Sequence, residues 1–117
     1  MLKNHEKFHS ANGKRTILVA DDEQINRAIL GAILENDFEV LYAENGKEAL
    51  EILEENREII SVVLLDLMMP VMSGMDLLRH LKEEPELQRI PVIVLTSDQT
   101  AEIECLSLGA IDFISKP

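Results

Sequence analysis

IISVVLLDLMMP, residues 59–70, is an apolar run rich in β-branched residues that stops abruptly on Asp66. Such a run reads as a strand buried on both faces. The loop after it carries Pro70 and Gly74; Leu77, Leu78 and Leu81 then fall on one helical stripe, and Pro85 closes that helix. The same alternation continues outward on both sides. Toward the N-terminus, residues 16–20 (TILVA) form a short apolar run that breaks into Asp21, Asp22 and Glu23. Ile25, Ile29 and Ile33, with Ala28 and Ala32, then recur at helical spacing as far as Asn36. Residues 38–43 read as a strand interrupted by Glu39, and residues 46–56 as a helix whose Ala49, Leu50, Ile52 and Leu53 share a face. Toward the C-terminus, residues 91–95 (PVIVL) are another buried strand, ending at Thr96. A short helix is expected over about residues 100–108, with Gly109 as its left-handed stop and a last strand over residues 110–115.

Five strands thus alternate with four helices. Continuous Val/Ile/Leu strands joined by helices imply a parallel sheet covered on both faces. Right-handed crossovers make it a doubly wound α/β sheet. Residues 1–14 have little periodicity and read as an N-terminal tail. His5 and His9 in that tail sit four apart, but no third ligand lies at a sensible spacing, so a solvated segment is expected there.

Composition narrows the function classes. At 117 residues, 46% apolar and 28% charged, the chain suits one globular domain of residues 15–117 behind its tail. No run of 18 apolar residues suggests a membrane span, and the polar start lacks the apolar segment of a secretory signal. Cys105 is the single cysteine, which excludes a disulfide framework and fits a reducing cytoplasm. A net charge of −11 repels phosphate backbones and argues against direct nucleic-acid binding.

In an open parallel sheet, ligands bind outside the carboxyl ends of the strands. Asp21 and Asp22 follow the first strand, Asp66 the third, Thr96 and Ser97 the fourth, and Lys116 the fifth; Ala43 and Glu44, after the second, offer no obvious chemistry. Three carboxylates crowded together raise one another's pKa unless a cation screens them. Hard oxygen ligands call for Mg²⁺, which keeps several waters and so leaves room for a phosphoryl group. Lys116 would neutralise further charge, Thr96 could donate to a phosphoryl oxygen, and a carboxylate can act as nucleophile to form an acyl phosphate.

The segments ILVADDEQINR (17–27), VVLLDLMMPVMSG (62–74), PVIVLTS (91–97) and GAIDFISKP (109–117) together resemble the receiver domain of two-component response regulators. The resemblance implies a flavodoxin-like strand order of 2-1-3-4-5 and makes Asp66 the phospho-acceptor. It makes Asp21, Asp22, Asp66 and the backbone carbonyl of Met68 the site for Mg²⁺ or Mn²⁺, with Asp22 ligating directly and Asp21 largely through water. Thr96 and Lys116 resemble the hydroxyl and ammonium that meet the phosphoryl group, Phe113 the switch aromatic, and the Lys116–Pro117 bond is typically cis in this family. Met68 and Asp98 stand where the phosphoryl lifetime is tuned. A sensor histidine kinase or a small phosphodonor is the implied donor, and an output domain or separate effector the implied reader.

Other side chains have plainer readings. Glu23 and His80 are expected to face solvent, Cys105 to pack as a small apolar residue, and Met68, Met69, Met72 and Met75 to fill a loop rather than bind a soft metal. A phosphatase of the haloacid dehalogenase type also uses a strand-end Asp, but wants a second Asp two residues later, where Met68 stands. A degenerate receiver serving only as an interaction module is the other alternative. A complete receiver continues into a fifth helix after its Lys-Pro pair, where this sequence ends. The resemblance therefore implies a fragment of a longer regulator, with Ile114 on a bare face covered by the tail or by a second copy in a homodimer.

Overall fold

In a computed structural model, residues 13–116 are described. The tail reading of residues 1–12, with His5 and His9, lies outside the described residues. Strand β1 (Arg15–Ala20) leads into helix α1 (Gln24–Leu34), β2 (Phe38–Ala43), α2 (Gly46–Asn56), β3 (Ile60–Asp66) and α3 (Gly74–Glu83). Strand β4 (Val92–Thr96), a 3₁₀ turn (Gln99–Ala101), α4 (Glu102–Ser107) and β5 (Asp112–Ser115) complete the order. All strand pairs are parallel, in the order β2-β1-β3-β4-β5. The doubly wound sheet, its strand order and its four helices are those expected.

Local chemistry explains the boundaries. Asn45 accepts a hydrogen bond from the Glu48 N–H (2.8 Å) and Ser73 from the Asp76 N–H (3.1 Å), so α2 and α3 each begin on a side-chain cap. Gly109, at φ 104°, supplies the left-handed stop after α4. The helix expected from residue 100 starts instead as a 3₁₀ turn. The Asp98 carboxylate accepts from the Thr100 N–H (2.9 Å) and hydroxyl (2.6 Å), which tightens the first turn and leaves α4 only six residues.

The core forms where the sheet meets α2, α3 and α4. Leu18, Val63, Leu65 and Val94 pack there with Leu53, Leu77, Leu78 and Cys105, all buried. The opposite face carries α1 among the described residues, and α1 buries only Gly31. The isoleucine stripe that announces this helix in the sequence is therefore not its buried side: Ile25, Ile29 and Ile33 are exposed, and among the described residues no second helix flanks α1 there. Ile114 on β5 is 52% exposed on the same face, as the sequence implies. An open groove lined by Ile29, Leu30, Leu95 and Ile114 runs along it and ends at Asp21 and Lys116.

Candidate functional site

Parallel pairing puts the carboxyl ends of all five strands on one edge, and the register aligns the ends. Ala20 pairs with Leu65, Asp66 with Leu95, and Thr96 with Ser115. Two further backbone bonds extend the ladder by one residue, from Asp21 N–H to the Ala43 carbonyl (3.0 Å) and from Lys116 N–H to the Thr96 carbonyl (2.9 Å). The chain leaves β1 for β2 on one side and reaches β3 on the other, so the topological switch lies between β1 and β3. Asp21 and Asp22 stand on one flank of that crevice and Asp66 on the other.

One carboxylate oxygen from each of Asp21, Asp22 and Asp66 lies within 4.8 Å of the other two. Asp21 is wholly buried and Asp66 only 2% exposed, while Asp22 opens to solvent. Lys116 spans the two buried acids, with Nζ 3.1 Å from Asp66 Oδ2 and 3.3 Å from Asp21 Oδ2. The remaining oxygen of Asp66 accepts the Met68 N–H at 3.2 Å, and Asp21 Oδ1 accepts the Glu23 N–H at 2.9 Å. Gly74 makes this packing possible. A Cβ there would collide with the Asp66 carbonyl oxygen, so only glycine lets α3 start directly against the end of β3.

Electrostatics follow from the placement. Burial raises the Asp66 carboxyl above its ordinary range, with the Asp21 charge adding to it; the Met68 N–H and the Lys116 ammonium offset part of the rise. Burial works against the Lys116 charge too, but the hydrogen bond and charge of Asp66, then the charge of Asp21, outweigh it and hold that ammonium above its usual value. Three carboxylates against one ammonium leave excess negative charge in a small space. A hard oxygen donor set of this kind, with one solvent-facing member, fits a divalent cation.

Thr96 is buried, and its hydroxyl accepts the Asp98 N–H at 2.9 Å. Phe113 is half-buried and packs against the main core, opposite Val94 and two register positions before the Thr96–Ser115 pair. His80 and Glu23 are exposed and Cys105 is buried, as the sequence suggests. The methionines divide: Met69 is buried and Met72 and Met75 pack on the core, but Met68 is 74% exposed and fills no loop. Its backbone N–H bonds Asp66 while its side chain stays in solvent. The Lys116–Pro117 bond lies outside the described residues.

Three residues at this edge carry no role in the sequence reading. Arg27 donates to the Asp21 carbonyl (2.7 Å) and to Glu44 Oε1 (3.3 Å). Asn26 donates to Asp21 Oδ2 (3.3 Å) and Glu23 Oε1 (3.0 Å). Their signal was their distance from Asp21, five and six residues on, which returns them to the strand end from the first turns of α1. Glu44, at the strand end that offered nothing obvious, is Arg27's partner.

A doubly wound parallel sheet with buried carboxylates on both flanks of its switch point, bridged by a lysine, defines a small α/β module with an acidic cation cradle. The chain belongs to the response regulator receiver domain family, whose model matches residues 17–117. It is 38% identical over 104 residues to the two-component response regulator ORR7 of Oryza sativa subsp. japonica, covering 86% of this chain and 49% of that protein. The chain thus spans about half the length of that relative. The Mn²⁺-bound form of response regulator Rcp1 superposes with a TM-score of 0.79 at 26% identity, covering 88% of this chain and 81% of that one. The Saccharomyces cerevisiae complex of the histidine phosphotransfer protein Ypd1 with the receiver domain of Ssk1 gives a match with a TM-score of 0.80 at 26% identity, covering 89% and 79%. The chain is a receiver domain of the two-component type, a signalling module, and the phosphatase alternative is not favoured.

Proposed function

We propose that Asp66 is the phospho-acceptor of this receiver domain, taking a phosphoryl group from a sensor histidine kinase, a phosphotransfer protein or a small phosphodonor. The observation that carries this reading is the meeting of Asp21, Asp22 and Asp66 oxygens within 4.8 Å, with Lys116 bridging the two buried acids. Independent turn chemistry has no reason to bury two carboxylates side by side. The Asp66 oxygen attacks phosphorus as the bond from phosphorus to the donor's imidazole nitrogen breaks. The nitrogen leaves with the electron pair and takes a proton from water, and an acyl phosphate remains.

Asp21, Asp22, Asp66 and the Met68 carbonyl are the groups that would hold the cation, Asp22 directly and Asp21 largely through water. Mg²⁺, or Mn²⁺ in its place, supplies charge neutralisation for the transferring group. Lys116 is already placed to meet a phosphoryl oxygen as the Asp66 charge moves outward. The Thr96 hydroxyl, which now accepts the Asp98 N–H, gains a charged acceptor for its own proton if it turns to the phosphoryl oxygen, and Phe113 follows into the space released. Met68 and Asp98 border that path and set the lifetime of the acyl phosphate, which the domain itself hydrolyses. An output domain or separate effector reads the change in the cytoplasm. A second copy of the chain covers the open face beside Ile29 and Ile114, and sedimentation showing only monomer at high concentration would remove that part.

The direct test is incubation with acetyl phosphate and Mg²⁺ followed by intact mass. One phosphoryl increment is expected for the wild type and none for Asp66→Asn. A wild type that stays unmodified while folded would leave an interaction module as the surviving account.

A further inference from the structure

We propose that Arg27 is a positioning residue for the acidic pair: its guanidinium fixes the Asp21–Asp22 peptide, and with it the spacing at which the two carboxylates meet a divalent cation. The inference rests on the cation reading above. Asp21 has its own carboxylate pinned by Glu23, Asn26 and Lys116. Asp22 does not; among the described residues no side chain holds its exposed carboxylate. What brings Asp22 within 4.8 Å of the other two acids is therefore the direction its backbone leaves Asp21.

That direction is set by one planar unit, the peptide joining Asp21 to Asp22. The N–H of Asp21 is held at 3.0 Å by the Ala43 carbonyl of β2. Its carbonyl is held at 2.7 Å by Arg27 Nη1. With the peptides before and after Asp21 both held, rotation about the Asp21 backbone is restricted, and with it the directions in which the Asp22 side chain can leave the strand end. Arg27 is itself anchored. Its side chain is only 14% exposed, its backbone N–H bonds the Glu23 carbonyl (3.1 Å), and its second nitrogen reaches Glu44 Oε1 at 3.3 Å. Glu44 is fixed in turn, its N–H bonded to Glu48 Oε1 (3.0 Å) at the start of α2. A guanidinium suits this task because its rigid fork serves two acceptors at once. Groups that orient metal ligands from behind are worth roughly 10–100-fold in metal affinity.

The test is Mn²⁺ titration of the full chain with the free ion counted by EPR, well below the unfolding temperature of each variant. Arg27→Met keeps the apolar stem and removes the donors, and its Mn²⁺ affinity is expected to fall about tenfold. Arg27→Lys, which restores one donor, recovers part of the loss. If Arg27→Met does not fold, Arg27→Gln takes its place under the same criterion. A variant that melts earlier without metal yet binds Mn²⁺ as tightly as the wild type would show a purely structural arginine and overturn the inference alone. A folded wild type that binds no Mn²⁺ would remove the cation reading and this inference with it.

Discussion

Between β1 and β3 the edge of the sheet is closed: Asp21 and Asp66 are buried, each carboxylate oxygen of Asp21 has a donor, and Lys116 ties the two together. Between β4 and β5 it is open. Helix α4 is a six-residue element behind a 3₁₀ turn, β5 has four residues of which none is fully buried, and Ile103, Leu106, Ile111 and Ile114 face outward. The difference matches the roles proposed for the two halves. Holding three like charges within 4.8 Å requires neighbours that do not yield. A segment proposed to report on one of those charges has to move at small cost, and sparse burial makes local rearrangement cheap.

The strongest way to break this comparison is to remove a side chain from each half. Leu65→Ala, next to the acceptor in the closed half, is expected to lower unfolding free energy by about 2–5 kcal/mol. Ile114→Ala in the open half should cost no more than about 0.5 kcal/mol when measured on the monomer, at protein concentrations too low for a second copy to cover that face. Urea denaturation measures both. Equal losses would mean that something covers the open face in solution.

A smaller effect sharpens the closed half. A cation that binds only the folded site should stabilise the protein, by about 1.4 kcal/mol at ten times its dissociation constant. Adding Mg²⁺ to the wild type in a thermal melt should therefore raise the midpoint, and EDTA should reverse the rise. Asp22→Asn, which keeps the shape and removes the solvent-facing charge, should lose most of it. An unchanged midpoint in the wild type would contradict a preformed cradle.

The smallest effect concerns the turn that opens the other half. The Thr100 hydroxyl and then its N–H hold the Asp98 carboxyl below its ordinary value. A carboxylate whose folded pKa is depressed adds stability above its unfolded value, about 3.9, and that stability is lost as pH falls through the folded pKa. Asp98→Asn should therefore be slightly less stable than the wild type at neutral pH, with the gap closing below about pH 4. A gap that persists in acid would assign the effect to shape rather than charge.

The closed half was also the more legible from sequence. β3 declares itself because burial on both faces demands an unbroken apolar run, and the acids at its end and at the end of β1 are local features of the chain. What escaped was contact across the edge. Arg27 and Glu44 are 17 residues apart, and nothing periodic links them. In α1 the isoleucine spacing placed the helix but not its buried side, since Ile25, Ile29 and Ile33 are exposed and Gly31 is the buried residue. The 3₁₀ start after β4 depended on Asp98 bonding Thr100, a side-chain choice that competes with helix formation and leaves no repeat to read.

The most direct measurement on the central claim is borohydride reduction of the protein after acetyl phosphate treatment, with the product located by peptide mass. An acyl phosphate reduces to an alcohol that marks its carboxylate. The mark should fall on residue 66 alone, with Mg²⁺ present and not with EDTA. A mark on Asp21 or Asp22, or one on Asp66 that forms equally well without the cation, would contradict the account.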